Sequence, residues 1–73
     1  MPLIQVKMIE KVFTSAQKKE LITKLTDTVV AMEGESIRPY TVVLLEDIRS
    51  GEWGVGGHGL TTEDVHALAA GKK

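Results

Sequence analysis

Hydrophobic and polar residues alternate at the start of the chain, and this period of two predicts a β-strand over residues 3–9. One face of the strand is hydrophobic and consists of Ile4, Val6 and Met8. The other face carries the polar residues Gln5 and Lys7 between Leu3 and Ile9. Both faces are therefore expected to be partly covered.

The period of the hydrophobic residues then changes to that of a helix. Thr14 with Gln17 three residues later is a capping box, which predicts a helix start at this point. Hydrophobic residues recur at helical spacing after it, at Leu21, Ile22, Leu25, Val29 and Met32. The helix is expected to end at residue 32 or 33, where Gly34 offers the left-handed residue that commonly stops a helix.

A nearly continuous hydrophobic run from Tyr40 to Glu46 predicts a second strand, of the kind that is covered on both faces. The helix between the two strands makes a long connection, which favours a parallel pair with a right-handed crossover. A two-stranded sheet with one helix is not stable alone. We therefore expect the sheet edges and the uncovered face to contact other copies of the chain.

The last third of the chain is rich in glycine and then in helix formers. Five glycines fall between residues 47 and 59 around Trp53, which predicts a small hairpin or bulge. Thr61 to Asp64 is a second capping signature, and the residues from Val65 to Ala70 favour a short C-terminal helix. The elements together predict one small α/β (α+β) domain over residues 1–73.

Composition supports self-association and excludes several classes of protein. A chain of 73 residues buries a small core, and without cysteine it has no disulfide or thiolate metal site to stabilise it. The net charge of −1 argues against nucleic acid as a partner. No stretch is long and apolar enough for a membrane span or arranged as a signal peptide, so we expect a soluble, cytoplasmic protein that does not bind membranes.

Pro2 is the residue with the most unusual chemical potential. Removal of Met1 would give Pro2 a free secondary amine, whose pKa falls from about 8 toward 7 in an apolar pocket or beside a cation. A neutral amine at pH 7 can act as a general base. The structural alternative is that Pro2 only begins an edge strand, where its missing N–H has no cost.

Four features in this order resemble the 4-oxalocrotonate tautomerase family over roughly residues 2–57, with residues 58–73 as a C-terminal extension. They are Pro2, the Gln5-x-x-x-Ile9-Glu10 pattern, the Gln17-Lys18-x-x-Leu21-Ile22 pattern and the loop Gly51-Glu52-Trp53-Gly54-Val55-Gly56-Gly57. The resemblance implies a β-α-β protomer that assembles into dimers and a hexamer. It also implies a cofactor-independent tautomerase in which Pro2 moves a proton between oxygen and carbon of a small enol or 2-oxo acid.

The resemblance implies two kinds of substrate contact, and the sequence departs from one of them. Trp53 occupies the loop position of an aromatic residue that would form an apolar pocket wall; its alternative role is to fill a subunit contact. The two arginines that bind the substrate carboxylate in well-known members correspond to a position at or near Val12 and to Val42. A dicarboxylate substrate is therefore in doubt. Arg38 and Arg49 are the best replacements, because arginine binds a planar carboxylate better than lysine does.

Other assignments stay open at this point. Lys7 and Lys11 stand behind the arginines as candidate cations, and all four can equally be surface charges. His58 and His66 lack a third ligand at a recognisable spacing, so no metal is expected. The best description is a tautomerase with a smaller substrate such as a monocarboxylate. The alternative is a non-catalytic oligomeric binding protein that kept the fold after losing the arginines at Val12 and Val42.

Overall fold

The computed structural model describes residues 1–71 and shows a small α+β fold. Its elements in chain order are β1 (Leu3–Ile9), α1 (Ser15–Glu33), a 3-10 helix (Glu35–Tyr40), β2 (Val42–Ile48), β3 (Trp53–Val55), β4 (His58–Leu60) and α2 (Thr62–Ala69). The predicted β-α-β order, the hairpin and the C-terminal helix are confirmed. Residues 72 and 73 of the predicted C-terminal extension lie outside the described residues.

Strands β1 and β2 form a parallel pair, as predicted, with Leu3 opposite Val42 at one end and Ile9 opposite Ile48 at the other. The predicted start of the second strand at Tyr40 is wrong by two residues, because Tyr40 ends the 3-10 helix. The turn is closed by Thr41, whose hydroxyl donates to the carbonyl of Ile37 at 3.0 Å. This local hydrogen bond favours the 3-10 turn over strand pairing in this segment, and β2 therefore begins after it.

Helix α1 begins and ends at the predicted residues. The Thr14 hydroxyl accepts a hydrogen bond from the Gln17 N–H at 3.1 Å, and the Gln17 side chain accepts one from the Thr14 N–H at 2.9 Å. At the other end, Gly34 has a φ of 102° and donates its N–H to the Val30 carbonyl at 2.8 Å. Its ψ of 160° lies outside the left-handed helical region, so glycine is needed here for a different positive-φ conformation than predicted.

The two faces of the sheet differ in burial. The buried hydrophobic residues within 1–71 are Met8, Ile9 and Val30, and the side chains of Ile4, Val6, Val43 and Leu45 are half-buried. On the opposite face, which we call the open face, Leu3, Val42 and Leu44 are 57%, 40% and 49% exposed. The sequence predicts cover on both faces of β2, and a single chain leaves one of them open. Its core is also small for a stable monomer.

The glycine-rich segment forms the predicted hairpin, in which β3 and β4 pair with Trp53 opposite Leu60. Gly56 and Gly57 form its turn with φ values of 58° and 85°, a conformation that favours glycine. Helix α2 follows with a capping box, in which Thr61 and Asp64 exchange hydrogen bonds of 2.9 and 3.1 Å. None of the helices within residues 1–71 is long and apolar enough to cross a membrane.

Candidate active site

Pro2 lies directly before β1 and is half-buried. Its carbonyl oxygen accepts a hydrogen bond of 3.0 Å from the Val42 N–H, which is the first bond between the two strands. The sheet therefore holds the backbone of Pro2 through its carbonyl. The neighbouring side chains of Leu3 and Val42 are apolar, so a second surface laid over them would desolvate this end of the sheet.

Arg38, the first candidate cation, lies in the 3-10 helix before β2 and is engaged by two carboxylates. Its Nη1 lies 2.7 Å from Asp27 Oδ1, and its Nε and Nη2 donate to the two Glu35 oxygens at 2.7 and 3.2 Å. The hydrogen bond from Arg38 lowers the pKa of Glu35, and the bonds to Glu35 and Asp27 raise the pKa of Arg38.

Because the pKa of Glu35 is lowered on folding, its contribution to stability is present at neutral pH. That contribution is lost as the pH falls through the lowered value. All three side chains are substantially exposed, so solvent screens the cluster and its stabilising effect is small. The two carboxylates nevertheless occupy the Arg38 guanidinium. A substrate carboxylate would have to displace Asp27 and Glu35 to bind it.

Arg49 and Trp53, the second group of predicted residues, lie beyond the carboxyl end of β2. Arg49 is exposed, and its carbonyl accepts the Glu52 N–H at 2.9 Å in the turn that leads to the hairpin. Its guanidinium forms no ion pair with any of the residues that the structure describes. Trp53 begins β3 and is half-buried.

The predicted site residues thus lie at opposite ends of the parallel strands. Pro2, Val42 and Arg38 are at the amino end, and Arg49 and Trp53 are beyond the carboxyl end. Six residue steps separate the two ends of β1, or about 20 Å at roughly 3.3 Å per residue. One chain does not bring these residues into one pocket.

The remaining predicted residues lie around the sheet. Lys7 pairs with Glu46 across the strands at 3.6 Å. Lys11 follows β1 with a φ of 62°, and its carbonyl oxygen lies 3.0 Å from Nε2 of His66 on α2. Val12 is half-buried in the connection to α1. No group of three or more His, Cys, Asp or Glu within residues 1–71 is placed to hold a metal ion.

A shallow groove of about 170 Å³ lies beside the first half of α1. Its lining consists of Phe13, Gln17, Glu20, Leu21 and Lys24. None of the predicted catalytic or substrate-binding residues is among them, so this groove is separate from both groups.

Sequence analysis missed a polar cluster at the base of the hairpin, formed by Glu10, Ser50 and Thr62. A Glu10 carboxylate oxygen accepts the Ser50 N–H at 2.9 Å, the Ser50 hydroxyl accepts the Thr62 N–H at 2.8 Å, and the Thr62 hydroxyl donates to the Glu10 carbonyl at 2.7 Å. The capping signature beginning at Thr61 predicts Thr62 at a helix start. No local pattern indicates its contact with a residue 52 positions earlier.

Known proteins are similar to this chain over most of its length. The family model described as "Tautomerase enzyme" matches residues 2–63. A curated protein named Probable tautomerase K2, from Dickeya dadantii (strain 3937), is 31% identical to this chain over 61 residues. That similarity covers 84% of this chain and 90% of the relative.

Proposed function

The chain belongs to the tautomerase enzyme family, and from this premise we propose that it is a cofactor-independent keto–enol tautomerase acting on a small 2-oxo acid. A tautomerase-type isomerase needs one group that takes a proton from one atom of the substrate and returns it at another. Pro2, after removal of Met1, is the group proposed here. The observation that supports it most directly is that the 3.0 Å bond from the Val42 N–H holds Pro2 at the amino end of the sheet, beside the apolar side chains of Leu3 and Val42.

The proposed reaction uses the amine of Pro2 twice. The neutral nitrogen takes the hydroxyl proton of the enol, and the oxygen then forms the carbonyl double bond. The electron pair of the carbon–carbon double bond takes the proton from the prolinium, which forms the new C–H bond and restores the neutral amine. Protons and electrons balance without a metal or a redox cofactor.

We further propose that a second copy of the chain completes the site. Within one chain Trp53 and Arg49 are separated from Pro2 by the length of the strands, whereas a partner lying in the opposite direction would bring its carboxyl end to Pro2. The apolar open face and the small core also favour such an assembly. A dimer satisfies this requirement, and the hexamer implied by the family resemblance contains the same pairing.

The substrate proposed for this arrangement carries a single carboxylate. Val42, beside Pro2, provides no charge, and Arg38 is held by Asp27 and Glu35. Arg49 has no such competition within residues 1–71 and lies at the same end as Trp53. Arg49 is therefore the better-supported carboxylate-binding residue, with Trp53 as the apolar wall of the pocket.

Comparison of two arginine variants tests this assignment. Arg49→Ala should raise KM for phenylenolpyruvate by about 10- to 100-fold, since a hydrogen bond to a charged group contributes roughly 1.5–3 kcal/mol. Arg38→Ala should change KM by less than that and should lower the thermal unfolding midpoint only slightly, because solvent screens the ion pairs with Asp27 and Glu35 that it removes. A KM effect confined to Arg38→Ala would transfer the carboxylate-binding role to Arg38.

The pH dependence of phenylenolpyruvate ketonisation tests the proposed function itself. Protein whose Met1 removal is verified by mass should show kcat/KM rising with pH through an apparent pKa below about 8, the ordinary value of a chain terminus. The sign follows from the mechanism, because protonation at low pH removes the base. A rate that stays at the uncatalysed level at every pH would instead favour the non-catalytic oligomeric binding protein.

A further inference from the structure

The polar cluster of Glu10, Ser50 and Thr62 joins three separate parts of the chain at one point. Glu10 follows β1, Ser50 follows β2, and Thr62 is the first residue of α2. Ser50 and Thr62 flank the hairpin segment on its two sides, and their hydrogen bond of 2.8 Å closes its base. The two bonds of Glu10, at 2.9 and 2.7 Å, tie that base to the end of the sheet.

The strands of the hairpin are too short to set its direction by themselves. Each of its strands has only three residues, and such a ribbon is marginal in isolation. Close to the base, the Gly51 N–H donates to the Leu60 carbonyl at 2.9 Å, and a side chain at Gly59 would collide with the Gly51 carbonyl. These contacts hold the two arms together, but they do not orient the hairpin relative to β1 and β2.

Thr62 is the residue of this cluster with the least solvent access, at 6% exposure. Its hydroxyl donates to the Glu10 carbonyl, and its own N–H is bonded to Ser50, so both ends of the residue are held. In a buried position, removal of the hydroxyl leaves the Glu10 carbonyl without this donor and without water to replace it. Thr62 therefore helps to set the direction of the hairpin, together with the 3.0 Å contact between the Lys11 carbonyl and Nε2 of His66 on α2.

We propose that Glu10, Ser50 and Thr62 are positioning residues, which fix the hairpin so that Trp53 reaches the Pro2 site of a second copy. The inference rests on the proposed function for its catalytic consequence, and on the hydrogen bonds alone for its structural part. It also assigns a role to the start of the C-terminal extension, because Thr62 enters the cluster as the first residue of α2. The three residues act through Trp53 and do not themselves contact the substrate.

The test compares Thr62→Val, which keeps the shape but removes the hydroxyl, with Thr62→Ser, which keeps the hydroxyl. Thr26→Val is the matched control, because the Thr26 hydroxyl donates to the Ile22 carbonyl at 2.8 Å on α1, away from the hairpin. Trp53 is the single tryptophan of the sequence, so quenching of its fluorescence by acrylamide reports on the hairpin alone. Steady-state kinetics with phenylenolpyruvate over a range of pH are the second readout.

In Thr62→Val, we expect the quenching constant of Trp53 to change about twofold and KM to rise about tenfold, since small misplacements of a binding group have large kinetic effects. The apparent pKa in kcat/KM should also rise toward about 8, because the displaced Trp53 no longer desolvates the amine. Thr62→Ser should restore all three quantities. Thr26→Val should leave thermal stability nearly unchanged, because its hydroxyl bonds only within the helix, and should leave quenching, KM and the apparent pKa at wild-type values.

Two results would overturn the proposal: unchanged Trp53 quenching in Thr62→Val, or equal changes in Thr62→Val and Thr26→Val. If Thr62→Val does not fold, Ser50→Ala replaces it, because it removes the acceptor of the Thr62 N–H without touching α2. An inactive wild type would refute the proposed tautomerase, whereas the quenching comparison would still decide whether the cluster positions the hairpin. The two failures are thus distinguishable.

Discussion

Replacing Pro2 with alanine is expected to lower kcat/KM for phenylenolpyruvate ketonisation by about 100- to 10,000-fold, the usual contribution of a general base. Alanine retains an amine at the chain terminus, but it is a primary amine without the ring that fixes its direction. Retention of Met1 should give an equally low rate, since the nitrogen of Pro2 is then part of an amide and is not basic. Initial rates of mass-verified preparations measure both effects.

The matched control for this substitution is Pro39→Ala, which changes the other proline of the chain within the 3-10 helix. It should keep kcat/KM within about threefold of wild type, because Pro39 is not proposed to contact the substrate. Sedimentation and thermal unfolding should show the same assembly for wild type and Pro2→Ala. Equal activity of Pro2→Ala, the Met1-retaining protein and wild type would refute the role of Pro2 as the base.

Mixing two inactive variants is expected to restore activity, because the proposed site takes Pro2 and Trp53 from different copies of the chain. Pro2→Ala supplies intact Trp53, and Trp53→Ala supplies intact Pro2. If the variants are unfolded together in equal amounts and refolded, random assembly pairs an intact Pro2 with an intact Trp53 in about one quarter of the sites. The mixture should therefore recover about one quarter of the wild-type rate, measured per site.

The control for the mixing experiment is each variant refolded alone at the same total concentration. A site contained within one chain would give a mixture with only the average of the two variant rates. That result would contradict the proposed pairing. It would not affect the role of Pro2 as the base, because the variants refolded alone test that role separately. The strand geometry favours the shared site, because the ends of β1 lie about 20 Å apart.

Local features of this chain could be predicted from the sequence because their hydrogen bonds join residues three or four positions apart. The capping boxes of Thr14 with Gln17 and of Thr61 with Asp64 both form as expected. Gly34 has the positive φ expected of a helix stop. The period of two in β1 correctly predicted a strand over Leu3–Ile9.

Predictions failed where a second interaction competes for the same backbone or where two distant segments meet. The run that begins at Tyr40 is typical of a strand. The hydrogen bond of Thr41 to Ile37 and the Pro39 ring nevertheless keep its first residue in a 3-10 turn. Arg38 was a candidate substrate-binding residue. Its bond to Asp27 depends on how the 3-10 helix lies against α1, whereas its two bonds to Glu35 are local. The assignment of Arg38 stays a prediction, with a competitor that the sequence did not reveal.

The sequence by itself determined the order of the strands and α-helices, the boundaries of α1, the family and the chemical identity of the proposed base, because each depends on residue types at short spacing. Only the tertiary structure decided that Pro2 and Trp53 lie at opposite ends of the sheet, since the parallel register sets which ends of β1 and β2 meet. It also decided that Thr62 bonds to Glu10, 52 residues away. Such contacts depend on how the chain returns on itself, which no local pattern encodes.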